Sequence, residues 1–188
     1  MQDDDSELEA PVTAEDHSEG SAQAPVTLVE YGDYQCPYCA QAYSVVRALV
    51  ERYGDDLRFV FRNFPLQELH PLALPAAEIA ETAGLLGDFW PMHAWLYENQ
   101  SRWVHGGTNA LLSSIEALDL DAARFQQALR KAEVTTRIRN DVEGGVQSGV
   151  HGTPTFFING WLHEGGNDAE SLSEAIDAAL EASRQASR

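Results

Sequence analysis

Two cysteines occur in the 188 residues, three apart, in Cys36-Pro37-Tyr38-Cys39. That spacing puts both sulfurs on one side of a helix's first turn, within reach of a disulfide. Pro37 suits the first helical position, where its missing N–H would have no partner anyway. Cys36 then falls at the N-cap, where a thiolate accepts unpaired N–H groups and feels the positive end of the helix dipole. A lowered pKa for Cys36 is expected from this placement. Cys39 lies one turn deeper, on a stripe with Tyr43 and Val46, and is expected to be buried. One exposed thiolate beside one buried thiol is what stepwise disulfide exchange requires.

Other uses of the pair fit less well. Structural zinc takes four ligands, yet there is no second Cys-x-x-Cys. His17, His70, His93, His105, His151 and His163 form no HxxxH or HExxH pair. A zinc site shared between two chains stays open. A purely structural bridge over so short a loop would stabilise little. No metal, nucleotide or flavin is expected, because the two sulfurs can hold the redox equivalents themselves.

The elements that must position the dithiol are readable around it. VTLVEY (26–31) is a β-branched run fit for a strand, broken by Gly32 and Asp33. A helix starts at Pro37, carries Cys39, Tyr43, Val46, Val50 and Tyr53 at helical spacing, and closes at Gly54. LRFVFR (57–62) alternates Leu57, Phe59 and Phe61 against Arg58, Val60 and Arg62, a strand period. From Pro65 to about Gly149 the periodicity is helical, with Gly106–Gly107 and Gly144–Gly145 read as punctuation. TFFI (155–158) and WLHE (161–164) flank Asn159–Gly160, a strong hairpin signal. Leu172, Ile176, Ala179 and Leu180 outline a closing amphipathic helix. The order is βαβ, a helical block, then ββα.

Composition narrows the function classes. Hydrophobic residues make up 44%, enough for a core, and the length favours one domain. A net charge of −18 argues against nucleic-acid backbones and anionic membranes. No stretch of 18 apolar residues could span a bilayer. Eight acids and no Lys or Arg fall in the first twenty residues, so residues 1–24 are expected to form a disordered acidic tail. The opening has neither the basic nor the apolar region of a secretory signal. The chain as written therefore reads as cytoplasmic, and an exported mature domain whose signal was replaced by Met1 stays open. Lys131 is the one lysine against eleven arginines; life at high salt and a GC-rich genome are both open as the reason.

The combination VTLVEYGDYQCPYC … GTPTFFING resembles the DsbA-like branch of the thioredoxin superfamily. The closest type is the thioredoxin domains that occur alone or fused to bacterial sodium/proton antiporters, and the resemblance covers about residues 24–182. It implies an α/β thioredoxin fold (βαβ–ββα) with a DsbA-like α-helical insertion. The thioredoxin domain would be 25–64 and 150–183, the insertion 65–149, and a C-terminal tail 184–188. It also implies a protein thiol–disulfide oxidoreductase, in which Cys36 attacks and Cys39 resolves. Thr153-Pro154 matches the cis-proline loop, which offers backbone hydrogen bonds to a bound peptide beside Pro37 and Tyr38. Partners would be protein or peptide thiols and disulfides and a redox recycling partner, met by a monomer.

Glu30 lies where the pattern has an acid beneath the active site. It shares a strand face with Val26 and Leu28, so a raised pKa and a role in relaying the Cys39 proton are expected. Tyr38 stands where the best-known periplasmic oxidases carry His, which implies a weaker oxidant. The Thr153 hydroxyl is placed to hydrogen-bond the dithiol. His151, three residues before Pro154, is a second candidate to face the dithiol or a plain loop histidine. His70 reads as a helix-start residue, Met92 and His93 as packing, and Trp90, Trp95 and Trp103 as core or groove wall. Oxidase and reductase directions both stay open. So do a glutaredoxin-like, glutathione-dependent enzyme and a peptide-binding or chaperone module with a redox-switch dithiol.

Overall fold

The computed structural model describes residues 7–186. In chain order it comprises β1 (His17–Glu19), β2 (Val26–Gly32), α1 (Pro37–Tyr53), β3 (Leu57–Asn63), five helices, a hairpin and a last helix. The five are α2 (Ala73–Leu86), α3 (Phe89–Glu98), α4 (Gln100–Ala117), α5 (Ala122–Leu129) and α6 (Ala132–Gln147). The hairpin is β4 (Thr155–Ile158) and β5 (Trp161–Leu162), and α7 (Ala169–Ala186) ends the chain. One sheet has the order β1-β3-β2-β4-β5, with β2 and β3 parallel and the other pairs antiparallel. Asn159 and Gly160 both have positive φ, 50° and 88°, the mirror-image turn whose twist matches two paired strands.

Both faces of the sheet are covered, so the alternation in residues 57–62 separates two buried faces rather than a dry one from a wet one. Val26, Leu28, Phe59 and Phe61 pack with Cys39, Val46 and Leu49 of α1, Met92 and Leu96 of α3, and Leu172 and Ile176 of α7. On the other face Val29, Tyr31, Val60 and Phe157 join Phe64 and Val150, with Leu8, Val12 and Val142 against them. Gly144 and Gly145 lie inside α6 and do not divide helices there. A Cβ on Gly145 would come within 2.8 Å of the Phe64 ring and 3.0 Å of Tyr31, so glycine lets the helix seat against the sheet. Gly107 does break a helix: its φ of 68° and ψ of −161° kink α4.

The acidic stretch departs from expectation. From residue 7 onward it is folded against the sheet, and residues 1–6 lie outside the described residues. Glu7 bridges Trp161, Leu8 N donates to Gly160 O at 2.7 Å, and β1 pairs with Phe59–Phe61 of β3. The reason is a cation that composition alone does not place. Arg62, only 4% exposed, uses all five guanidinium N–H groups on this segment and its neighbour in the sheet. Nε and Nη2 meet the two Asp16 oxygens at 2.9 and 3.1 Å; Nη1 reaches Ala10 O and Tyr31 OH, and Nη2 also reaches Pro11 O. Arg137 of α6 adds a second ion pair to Asp16 at 3.2 Å. At the other end, the expected tail from residue 184 is helix through Ala186, its last residues exposed beyond the buried Leu180.

Burial pushes the Asp16 carboxyl up, but Arg62, the Thr13 N–H and Arg137 outweigh it and hold it below its ordinary value. Its contribution is full above the unfolded value near 3.8 and fades as pH falls through the lower folded one. Asp16→Asn leaves Arg62 buried with a neutral partner, and is expected to cost roughly 3 kcal/mol at pH 7. The urea midpoint should record this loss, with the parent and variant curves converging at low pH.

Candidate active site

The site is built at the start of α1. Cys36 is the N-cap in extended conformation and Pro37 opens the helix. The turn before it closes on Asp33, whose C=O accepts Cys36 N at 3.1 Å and whose Oδ1 accepts Gln35 N at 2.7 Å. The helical insertion grips this turn from outside. Gln100, the first residue of α4, donates Nε2 to the carbonyls of Tyr34 and Cys36, both at 2.8 Å. Gln35 Oε1 accepts Leu72 N at 2.6 Å.

Both thiols are free. Cys39 is fully buried, and Cys36 is less open than expected, at 3% exposure. The loop carrying the cis Thr153–Pro154 bond covers it, and the Cys36 S–H donates to Thr153 O at 3.4 Å. Pro37 and Tyr38 remain exposed beside it. Tyr38 borders a cleft of about 210 Å³ shared with Gln41, Val45 and Asp168.

The two sulfurs are driven apart in acidity. The Cys39 thiol donating to the Cys36 sulfur brings Cys36 down to about 6 despite burial, with help from the Cys39 and Tyr38 N–H groups. The Thr153 hydroxyl, expected on the dithiol, is buried with no hydrogen-bond partner among the described residues. Cys39 is pushed well up by burial, by giving its hydrogen bond to Cys36, and by the Glu30 and Cys36 charges. Glu30 is 2% exposed, and its Oε1 has no hydrogen-bond partner among the described residues. Burial first, and the Cys36 charge second, raise it to about 8.

Among the remaining candidates, His93 is a packing residue. It stands 3.0 Å from Tyr34 OH and against Phe61, and burial draws it down to about 3, so the ring is neutral. Trp103 is fully buried and donates to Leu96 O, while Trp90 and Trp95 pack on the core. His151 is exposed at the start of the cis-proline loop. His70 does more than begin a helix: its Nδ1 donates to Asp33 Oδ2 at 2.7 Å. Asp33, 1% exposed, was not singled out by the sequence reading, although an Asp two residues before Gln35 is an Asx-turn former. Gln100 carries no local signal at all. Among the described residues no three His, Cys, Asp or Glu side chains are grouped so as to hold a metal ion.

With this geometry in place, the comparisons decide the family. A family model described as thioredoxin matches residues 12–178. The chain belongs to the thioredoxin family. Its architecture is DsbA-like. A thioredoxin-like oxidoreductase from Silicibacter pomeroyi DSS-3 superposes with TM-score 0.76 at 27% identity, covering 90% of this chain and 94% of that one. α-DsbA1 of Wolbachia pipientis shares the fold at TM-score 0.82 and 20% identity, covering 94% and 96%. In sequence, the chain is 44% identical over 179 residues to the Na(+)/H(+) antiporter NhaA 1 of Salinispora arenicola. That match takes in 95% of this chain but only 27% of the antiporter, as for a thioredoxin domain fused within a longer protein.

Two titrations check the site. Thiolate absorbance of the reduced protein is expected to rise with a midpoint near pH 6. For Glu30, the unfolded chain gives up its proton first as pH rises, so stability falls between about 4.5 and about 8. Glu30→Gln removes that slope: urea midpoints should match the parent below pH 4.5 and exceed it at pH 8.

Proposed function

We propose that this protein exchanges disulfides with protein or peptide substrates through a mixed disulfide at Cys36. The observation that carries the reading is the seat of the Cys36 sulfur, at the α1 N-cap and 3.4 Å from Thr153 O of the cis-proline loop. A nucleophile and the backbone able to align an extended peptide are thereby side by side. Everything needed lies within one chain, so a monomer suffices.

In the reducing direction, the Cys36 thiolate attacks a substrate disulfide; a Cys36–substrate S–S bond forms and one substrate thiolate leaves. Cys39 then loses its proton to the Glu30 carboxylate and attacks Cys36. The Cys36–Cys39 bond forms, the second substrate sulfur departs, and two electrons have passed from dithiol to substrate. The oxidising direction is the same path reversed. Glu30 is suited to the task because burial holds it near neutral pH, where a general base works best.

Neutral donors lower Cys36 by a moderate amount, and Tyr38 supplies no cation. The reduced form is therefore stabilised less than in a strong disulfide donor. The potential, measured in glutathione buffers, is expected between about −270 mV, typical of thioredoxin, and about −120 mV, typical of a strong donor. Cys39→Ala is expected to accumulate an adduct with a disulfide-bonded peptide, and Cys36→Ser to form none. Retained activity in Cys36→Ser would point instead to a peptide-binding module, and a strong preference for glutathione mixed disulfides to a glutaredoxin-like enzyme.

A further inference from the structure

We propose that Asp33, locked by His70, is a positioning residue for the resolving step, holding the peptide N–H that receives the Cys39 thiolate. The inference rests on the disulfide-exchange reading above and adds a residue to its second half.

The peptide unit joining Gly32 to Asp33 is held at both ends. Its carbonyl accepts Phe64 N at 2.7 Å, and its N–H points at Cys39 Sγ, 3.4 Å away. The Asp33 side chain is fully enclosed and takes three further hydrogen bonds. Gln35 N reaches Oδ1 at 2.7 Å; Leu66 N and His70 Nδ1 reach Oδ2 at 3.0 and 2.7 Å. One segment, Phe64 to His70, thus fixes both the peptide plane and the carboxylate. A buried carboxylate with three donors is rigidly seated, since each bond to a charged acceptor is strong and none can be lost cheaply.

What that rigidity serves is visible at Cys39. Burial, the hydrogen bond given to Cys36, and the charges of Glu30 and Cys36 all oppose its ionisation; the Asp33 N–H favours it. In the resolving step Cys39 must carry negative charge for the moment in which it attacks Cys36. A donor already aimed at the sulfur stabilises that charge without reorganisation, the same logic by which fixed N–H groups stabilise developing anions elsewhere. Cys36 draws on other groups, those of Cys39 and Tyr38, so the first step depends on Asp33 far less than the second.

The test separates the two steps. The reduced protein is mixed with a fluorescent disulfide-bonded peptide, quenched in acid over a time course, and the peptide adduct is quantified. Its rise reports attack by Cys36 and its decay reports resolution by Cys39. Asp33→Ala is expected to slow decay about tenfold, the worth of a hydrogen bond to a charged group, while the rise changes by less than about twofold. Asp33→Asn, which keeps an oxygen for Gln35 N, should recover part of the loss. His70→Phe removes one of three bonds at a half-buried site and should slow decay about threefold, which keeps the proposal testable if Asp33→Ala does not fold. Unchanged decay in His70→Phe and in a folded Asp33 variant would overturn the proposal, as would rise and decay falling in equal proportion. A parent protein that forms no adduct at all would instead overturn the exchange reading itself.

Discussion

A thiolate at Cys36 has to be held in an acidic protein chiefly by neutral groups, and much of the local architecture follows from that constraint. The chain carries −18 overall, with a buried Glu30 below the dithiol and Asp33 beside it. The groups that lower Cys36 are a thiol and two backbone N–H groups, all neutral. Neutral dipoles act only at contact distance and in fixed orientation, so the turn before α1, the cis-proline loop and the first turn of the helix must be held within tenths of an ångström. Gln100 and Gln35 supply that hold, and both contacts are made with the insertion, through Gln100 itself and through Leu72 N. The insertion is therefore part of the chemistry's support and not only a wall beside it.

Glu30 and Cys36 raise each other's cost of ionisation, since each charge disfavours the other. In the proposed exchange this gives the proton a direction. While Cys36 is a thiolate, Glu30 tends to keep its proton. Once Cys36 is bonded to substrate its charge is gone, Glu30 becomes more acidic, and its carboxylate is available for the proton of Cys39. The buried carboxyl thus becomes a base when the resolving step needs one, without any movement of the backbone.

Much of this was legible locally. Cys36-Pro37 announced an N-cap and a helix start, Asn159-Gly160 a two-residue hairpin, and the period-2 pattern of β2 put Glu30 inside. What was hidden depends on pairing across distance. Residues 7–24 read as a solvated tail because composition counts charges without seeing partners, and the partners, Arg62 and Arg137, lie 46 and 121 positions from Asp16. Gly144–Gly145 looked like a helix boundary because local propensity cannot register that Phe64 and Tyr31 need the space. Asp33 and His70 are 37 residues apart and neither is diagnostic alone. The expected exposure of Cys36 failed for the same reason: Thr153, 117 residues on, closes over it.

The preference for arginine has a structural use at one position at least. Arg62 spends five donors in a fixed planar fork on a carboxylate, two carbonyls and a hydroxyl; lysine has three donors on one point and could not satisfy that set. The consequence reaches the site through strand alternation. In the parallel pair, Glu30 stands opposite Phe61 and Tyr31 opposite Arg62, so successive residues of the same two strands face the dithiol and then the clamp. Holding Tyr31 and Arg62 on one face fixes the backbone that aims Glu30 and Phe61 on the other. A sheet wet on that second face would leave β2 free to shift by fractions of an ångström, and a site that works through neutral contacts could not tolerate it. The N-terminal strap thus belongs to the same mechanical problem as the thiolate, even though it touches neither sulfur.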